Sequence, residues 1–262
     1  MTKPGDVPAA CDVSEDRFLG GQLRLRQPKS GHRAGHDAVL LAAATAARPG
    51  DRVVDLGAGV GAAGFALARR VPGIELVLVE VDGNLAELAR GNALLNGLPA
   101  DVVVLDVESG AGEFAANGLT PDSADVVLMN PPFNDPARHR ASPDQARERA
   151  HLATARTLEN WIHAARRILK SGGALTLIWR ADALAGILMV LERGFGSLRI
   201  LPVHGDGASP AIRVLVSAIK GGKAPAALYP GLMLNDAQSS PLPSRDAQEI
   251  LGGLKILPLA SR

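Results

Sequence analysis

The run with the most specific chemistry is Asn130-Pro131-Pro132-Phe133. Two consecutive prolines remove two backbone N–H donors and fix φ, leaving rigid carbonyls beside one amide side chain and one aromatic face. This set suits a planar nitrogen that carries two hydrogens. The Asn130 side-chain oxygen and a proline carbonyl each accept one N–H, and Phe133 stacks on the attached ring. Held so, the amine lone pair turns out of ring conjugation and towards an electrophile. A second constellation precedes the first: Asp55-Leu56-Gly57-Ala58-Gly59-Val60-Gly61, followed by Glu80 and Asp106. Glycines admit close backbone approach and positive φ, and a helix opening after them offers free N–H groups to a ligand.

Both constellations need elements to position them, and the hydrophobic pattern supplies these. An apolar run at 52–56 predicts a strand that ends at the glycines, with a helix over 65–70. Strands follow at 74–81, 101–105, 125–129 and 174–179, separated by helices over 83–96 and 152–169, with a further helix over 184–192. Segments 198–203 and 212–219 read as an antiparallel terminal pair. The alternation predicts an α/β fold: a Rossmann-like, seven-stranded, mostly parallel sheet with an antiparallel terminal strand and helices on both faces. Ligands of such sheets bind at the carboxyl ends of the strands, where both constellations fall. Upstream, 18–27 has the period-two pattern and central glycines of a β-hairpin, leading into a helix over 37–47. The expected division is an N-terminal hairpin-and-helix extension over 1–50, a catalytic domain over 51–221, and an irregular, proline-bearing appendage over 222–262.

Glu80 ends the second strand of the alternation, where a carboxylate meets a ribose diol in nucleotide-binding βαβ units. Asp106, just past the third strand, is placed to accept from an adenine amine or to hold a loop. Gly59-x-Gly61-x-x-Gly64 also matches the dinucleotide fingerprint, so NAD is the competing ligand. Two features favour S-adenosyl-L-methionine. Asp55 can favour a cationic methionine ammonium but would repel a pyrophosphate, and hydride transfer has no use for an amine clamp.

With these motifs the chain resembles class I methyltransferases, and among them the amino-methyltransferases with an Asn/Asp-Pro-Pro-Phe/Tyr motif, over roughly 31–220. The stretch Gly31-His32-Arg33-Ala34-Gly35-His36-Asp37-Ala38-Val39-Leu40-Leu41 is similar to the segment before the first strand in bacterial tRNA (adenine-N6)-methyltransferases acting on valine tRNA. The resemblance implies that Asn130, Pro131, Pro132 and Phe133 are catalytic. It also implies that Asp37, Asp55, Gly57, Gly59, Gly61, Glu80, Val81, Asp106 and Val107, together with Asn130, hold S-adenosyl-L-methionine. His36 stands where that family more usually has Thr, and Asp37 reads equally as the N-cap of its own helix. The implied acceptor is an adenine exocyclic amine in structured RNA, tRNA first. Enzymes acting on ribosomal RNA guanine or protein glutamine share the tetrad, and a small-molecule amine is a further acceptor. The glutamine enzymes typically carry an N-terminal helical domain, which the residues before 51 do not resemble. Outside this class stand an NAD-dependent oxidoreductase and a non-catalytic RNA-binding module.

The formal net charge of +1 makes no global demand for nucleic acid, so any RNA contact must be local. Arg33, within the basic hairpin region of Arg24, Arg26 and Lys29, is one expected phosphate contact; Arg138, Arg140 and Arg147, just beyond the tetrad, are the others. A single cysteine, Cys11, provides no internal disulfide framework and fits a reducing compartment. No apolar signal core occupies 1–16, and the apolar run at 38–47 is too short to span a bilayer, so the expectation is a cytoplasmic protein with no membrane partner. Histidines and cysteine do not cluster as metal ligands, and no metal is expected. Trp161 and Trp179 read as core. Nothing in the sequence sets the oligomeric state.

Overall fold

The computed structural model describes residues 12–31, 33–132, 143–236 and 243–261, with the backbone alone over 143–154. Phe133, Arg138 and Arg140 lie outside the described residues, as does the Arg147 side chain.

The chain opens with the hairpin β1 (Val13–Phe18) and β2 (Leu23–Pro28), longer at its outer end than its period-two pattern suggested. Helix α1 (His36–Ala44) follows. The alternation then runs β3 (Arg52–Leu56), α2 (Ala62–Arg70), β4 (Glu75–Glu80), α3 (Gly83–Asn96), β5 (Asp101–Val104), α4 (Ala111–Ala116) and β6 (Ala124–Met129). It continues with α5 (Pro143–Ile168), β7 (Leu169–Arg180), α6 (Leu184–Leu191), β8 (Phe195–His204) and β9 (Arg213–Lys220). Seven of these strands form the main sheet in the order β5-β4-β3-β6-β7-β9-β8. All are parallel except β9, which lies antiparallel between β7 and β8. The fold is α/β, with the mostly parallel sheet and antiparallel pair that the alternation predicts.

Strand order reverses between β3 and β6: the chain winds outward to β4 and β5 on one side, then returns to β6 on the other. Crevices form at the carboxyl ends of strands flanking such a reversal. The glycine turn leaves β3 there and Asn130 leaves β6. The central strands qualify for these places because they are apolar without alternation; Val53, Val54, Leu56, Val126, Val127, Leu128 and Met129 are all fully buried.

The tail departs from its expected irregularity. It adds β10 (Ala227–Leu228) and β11 (Leu232–Met233), both parallel to β8, and α7 (Arg245–Leu251), capped by the Ser244 hydroxyl. Leu232, Ile250, Leu257 and Leu259 are buried in the same hydrophobic cluster as Leu23 and Leu25 of the hairpin and most of α1. Helix α1 is apolar nearly all round because α2, the sheet and this tail enclose it.

Candidate active site

The turn between β3 and α2 holds Gly57, Gly59 and Gly61 at φ of 69°, 57° and 87°. Its backbone is fixed to β4 by a hydrogen bond from the Ala58 N–H to the Val79 carbonyl at 2.9 Å. The glycines differ in duty. A Cβ on Gly57 would lie 2.2 Å from the Trp161 ring, which is the core tryptophan the sequence suggested, packed onto the turn from α5. Gly61 and Gly64 lie as close to Phe65 and Leu78. A Cβ on Gly59 would meet nothing within 4 Å. The bare backbone of Gly59 faces a cavity of about 350 Å³, whose walls include Asp37, Asp55, Gly57, Asn130 and Arg213. Gly61, Glu80, Val81, Asp106 and Val107 are not among those walls.

Two carboxyl groups brace the turn. Asp55 is only 2 % exposed and accepts the Gly64 N–H at 2.9 Å, tying β3 to α2. Burial, opposed by that hydrogen bond and reinforced by the nearby Glu80 charge, pushes its carboxyl up to about 7. On its own this group is chiefly protonated below about pH 7, and a neighbouring ammonium would draw it towards its charged form. Glu80, at the end of β4, accepts the Gly59 N–H at 2.7 Å with one oxygen and the Asp82 N–H at 2.9 Å with the other. A carboxylate offers about four acceptor sites. Glu80 thus holds the turn and keeps acceptor capacity for hydroxyls.

Beside it, Val81 is 62 % exposed, an unusual bareness for valine that presents an apolar patch at the same sheet edge. Asp106 is exposed and accepts the Glu108 N–H at 2.8 Å, which closes its own turn. The Val107 side chain is buried in the cluster that contains Leu105.

The segment over 33–38 forms the facing wall. Gly35, not Asp37, is the N-cap of α1, and no side chain caps that helix. Asp37 instead accepts from Arg213 Nε at 2.9 Å. Sequence reasoning missed Arg213, which stands 176 residues away at the head of β9, and no local motif marks it. Arg33, expected as a phosphate contact, also has a structural duty and stays about a third exposed. Its guanidinium donates to Ser14 Oγ at 3.0 Å, to the Pro28 carbonyl at 2.7 Å and to Asp16 at 2.6 Å, stitching the hairpin to the cavity wall.

Asn130 follows the last residue of β6. Its side-chain oxygen is buried and has no hydrogen-bond partner among the described residues. Pro131 is buried and Pro132 exposed, and neither has an N–H to offer. A buried acceptor without a donor costs about 1–3 kcal/mol, a cost that a donor from a ligand or from elsewhere in the chain would offset.

Groups of the kinds that S-adenosyl-L-methionine requires stand at this sheet edge: open backbone at Gly59, carboxylate oxygens on Glu80, an exposed apolar side chain at Val81 and charges of both signs on the Asp37–Arg213 pair, with Glu80 and Val81 outside the cavity walls. Among the described residues no cluster of three or more His, Cys, Asp or Glu is placed to hold a metal, and no helix is long and apolar enough to cross a membrane.

The family model of the methyltransferase small domain matches residues 33–205. The chain is similar to ribosomal RNA small subunit methyltransferase C of Pseudomonas aeruginosa, 30% identical over 175 residues, which cover 67% of this chain and 45% of that protein. It thus spans less than half the length of that relative. It is also similar to the tRNA1(Val) (adenine(37)-N6)-methyltransferase of Porphyromonas gingivalis, 30% identical over 176 residues, covering 64% of this chain and 67% of that one. Among solved structures, a predicted O-methyltransferase, protein Atu636 from Agrobacterium tumefaciens, is 31% identical with a TM-score of 0.69, covering 84% of this chain and 98% of that one.

Proposed function

We propose, from the premise that this chain belongs to the methyltransferase small domain family and is an S-adenosylmethionine-dependent methyltransferase, that its acceptor is the exocyclic amine of an adenine in structured RNA, with tRNA as the substrate class. The observation that carries the reading is the buried, unpartnered Asn130 oxygen at the carboxyl end of β6. An amine N–H supplies the missing donor, and a proline carbonyl takes the second hydrogen. Similarity to two RNA-modifying relatives supports RNA as the acceptor's carrier. The favoured tRNA relative is matched over the larger share of its own length. The catalytic domain is then 51–221, with the hairpin region and the tail as additions, and the cytoplasm is where such a substrate lies.

The cofactor supplies an electrophilic methyl on a sulfonium centre. What the chain contributes is position. Glu80 and the Gly59 backbone fix the nucleoside portion, the Asp37–Arg213 pair faces the amino-acid end, and Asn130 with Pro131 orients the amine for in-line attack. No strong base is required, because the methylated nitrogen can lose its extra proton to water. A hydroxyl acceptor would need a base, and of the titratable cavity groups Asp55 accepts from Gly64 and Asp37 from Arg213, which leaves His36 as the base such a reaction would use. The base must leave its stack at a cost of a few kcal/mol, least in a loop.

The test is to incubate the enzyme with labelled S-adenosylmethionine and unmodified tRNA or ribosomal RNA, then identify the labelled nucleoside by mass spectrometry. N6-methyladenosine in tRNA is expected. A methylated guanine or a methylated ribose hydroxyl would replace this reading.

A further inference from the structure

The hairpin has a buried face and a charged one. Leu23 and Leu25 point into the core and are fully buried, whereas Glu15, Arg17, Arg24 and Arg26 alternate outward. The register sets Arg17 directly opposite Arg24, and Glu15 opposite Arg26. Like charges facing each other across a ladder are destabilising. The one acid on this face, Glu15, lies 3.3 Å from Arg24 and 3.5 Å from Arg26, and Arg17 has no ion-pair partner among the described residues. Three arginines against one glutamate leave this small face with a formal excess of +2, on a chain whose total is +1. The fold alone gives no reason to gather charge here.

The same strand is anchored with unusual precision. Asn96 of α3 accepts the Arg24 N–H at 2.9 Å and donates to the Arg24 carbonyl at 2.7 Å. One turn earlier, Asn92 does the same for Arg26, at 2.8 and 3.0 Å. These two amides act as a substitute strand along the edge of β2. Asn92 is fully buried and also donates to the Val60 carbonyl in the glycine turn at 3.0 Å. The backbones of the two outward arginines are thereby fixed to the turn that lines the cofactor cavity. At the hairpin's other strand, Arg17 lines a groove of about 400 Å³ that shares the wall of residues 33–36 with that cavity.

We propose that the outer face of the hairpin is a phosphate-binding surface for the RNA substrate, with Arg17, Arg24 and Arg26 gripping the sugar-phosphate backbone beside the base that enters the cavity. The inference rests on the RNA reading given above. A guanidinium fork pairs with phosphate bidentately, and such contacts set position rather than sequence. The face carries no exposed large hydrophobic residue, which disfavours a peptide held by apolar contacts or an inserting membrane surface.

Stability and binding should move in opposite directions in Arg17→Glu. The substitution removes the like-charge opposition, so the melting temperature should hold or rise by roughly 1–4 °C. Affinity for unmodified tRNA at about 0.1 M salt should fall roughly tenfold or more, and the slope of log affinity against log salt should flatten by about one to two units. The combined Arg17→Gln, Arg24→Gln and Arg26→Gln variant should flatten it by about two to three units while keeping wild-type affinity for S-adenosylhomocysteine. Salt lines parallel to wild type would overturn the proposal. So would a loss of tRNA affinity accompanied by a lower melting temperature, or a loss confined to phosphatidylserine vesicles with tRNA binding retained. If wild-type protein bound no RNA at all, the RNA reading itself would fall and this inference with it; tRNA binding indifferent to these arginines would remove only the inference.

Discussion

Two turns leave neighbouring strands of one sheet, and they are finished to different degrees. The glycine turn after β3 is internally closed: Asp55 and Glu80 accept three backbone N–H groups around it, and Ala58 is tied to β4. The proline-bearing segment after β6 leaves a buried amide oxygen with no donor among the described residues. A rigid, satisfied turn suits a ligand that must bind in one pose before anything else happens. An unsatisfied acceptor gives its hydrogen bond only to the group it is meant to orient, so its energy is expressed when the acceptor nitrogen is in place. Under the proposed function the contrast separates cofactor holding from methyl transfer, and each half can be attacked alone.

The largest expected effect lies in the brace of the glycine turn. Asp55 holds its proton to about 7 in the folded chain, whereas an unfolded aspartate loses it near 4. Between those values the folded state binds the extra proton, so stability is fullest below about pH 4 and falls as pH rises to about 7, by up to about 4 kcal/mol. Asp55→Asn keeps an oxygen for the Gly64 N–H but has nothing to titrate. The wild-type unfolding free energy minus that of the variant, measured by denaturant titration, should decline through this window and be flat outside it. A flat difference throughout would mean that Asp55 is charged in the fold.

Next comes the unfinished turn. Asn130→Ala should slow methyl transfer in single-turnover assays by roughly a hundredfold or more, equivalent to about 2.7–4 kcal/mol of barrier. Affinity for the cofactor should barely change, and the melting temperature should hold or rise, because a buried acceptor without a donor is being removed. Activity within a few-fold of wild type would dismiss the amine clamp.

Glu80→Ala should act on the other half. It loses one charge-assisted bond to the turn at Gly59 and one to Asp82 at the start of α3, as well as the acceptors proposed for a ribose diol. Calorimetry should show S-adenosylhomocysteine binding weakened by about 1.5–3 kcal/mol. Unchanged affinity would remove Glu80 from the cofactor site.

What sequence made legible was local. The strand, glycine turn and helix over 52–70 are contiguous, and so are β6 and Asn130, so periodicity and turn chemistry located both before any coordinates. What it hid was set by packing at long range. Asp37 looked like a helix cap because its partner Arg213 comes from a strand far along the chain. The structural duty of Arg33 was hidden because Ser14 and Asp16 reach it only once the hairpin closes. The raised proton affinity of Asp55 was hidden because burial cannot be counted along a sequence. Asn92 and Asn96 carried no signal at all, since an amide standing in for a strand edge requires the edge to be there. The tail was obscured by its prolines and by strands of two residues each, too short for any period to show.

The smallest effect concerns the wall facing the glycine turn. Asp37 and Arg213 are about a quarter to a third exposed, so their attraction for each other and for any ligand is screened by water. A neutral pair of opposite charges nevertheless complements a ligand end that is itself a neutral pair, an ammonium beside a carboxylate. Arg213→Ala should therefore weaken S-adenosylhomocysteine binding by about 0.5–1 kcal/mol, with the loss growing at low salt. The control is 5′-methylthioadenosine, which keeps the nucleoside and lacks the amino-acid end. If Arg213 faces the carboxylate, the variant should bind this analogue as wild type does, whereas a general disturbance of the cavity would weaken both ligands alike. Loss for the full ligand alone places the amino-acid end against α1 and β9, opposite Gly59. Equal loss for both would make the Asp37–Arg213 pair a strut between those two elements and leave the amino-acid end to the glycine turn.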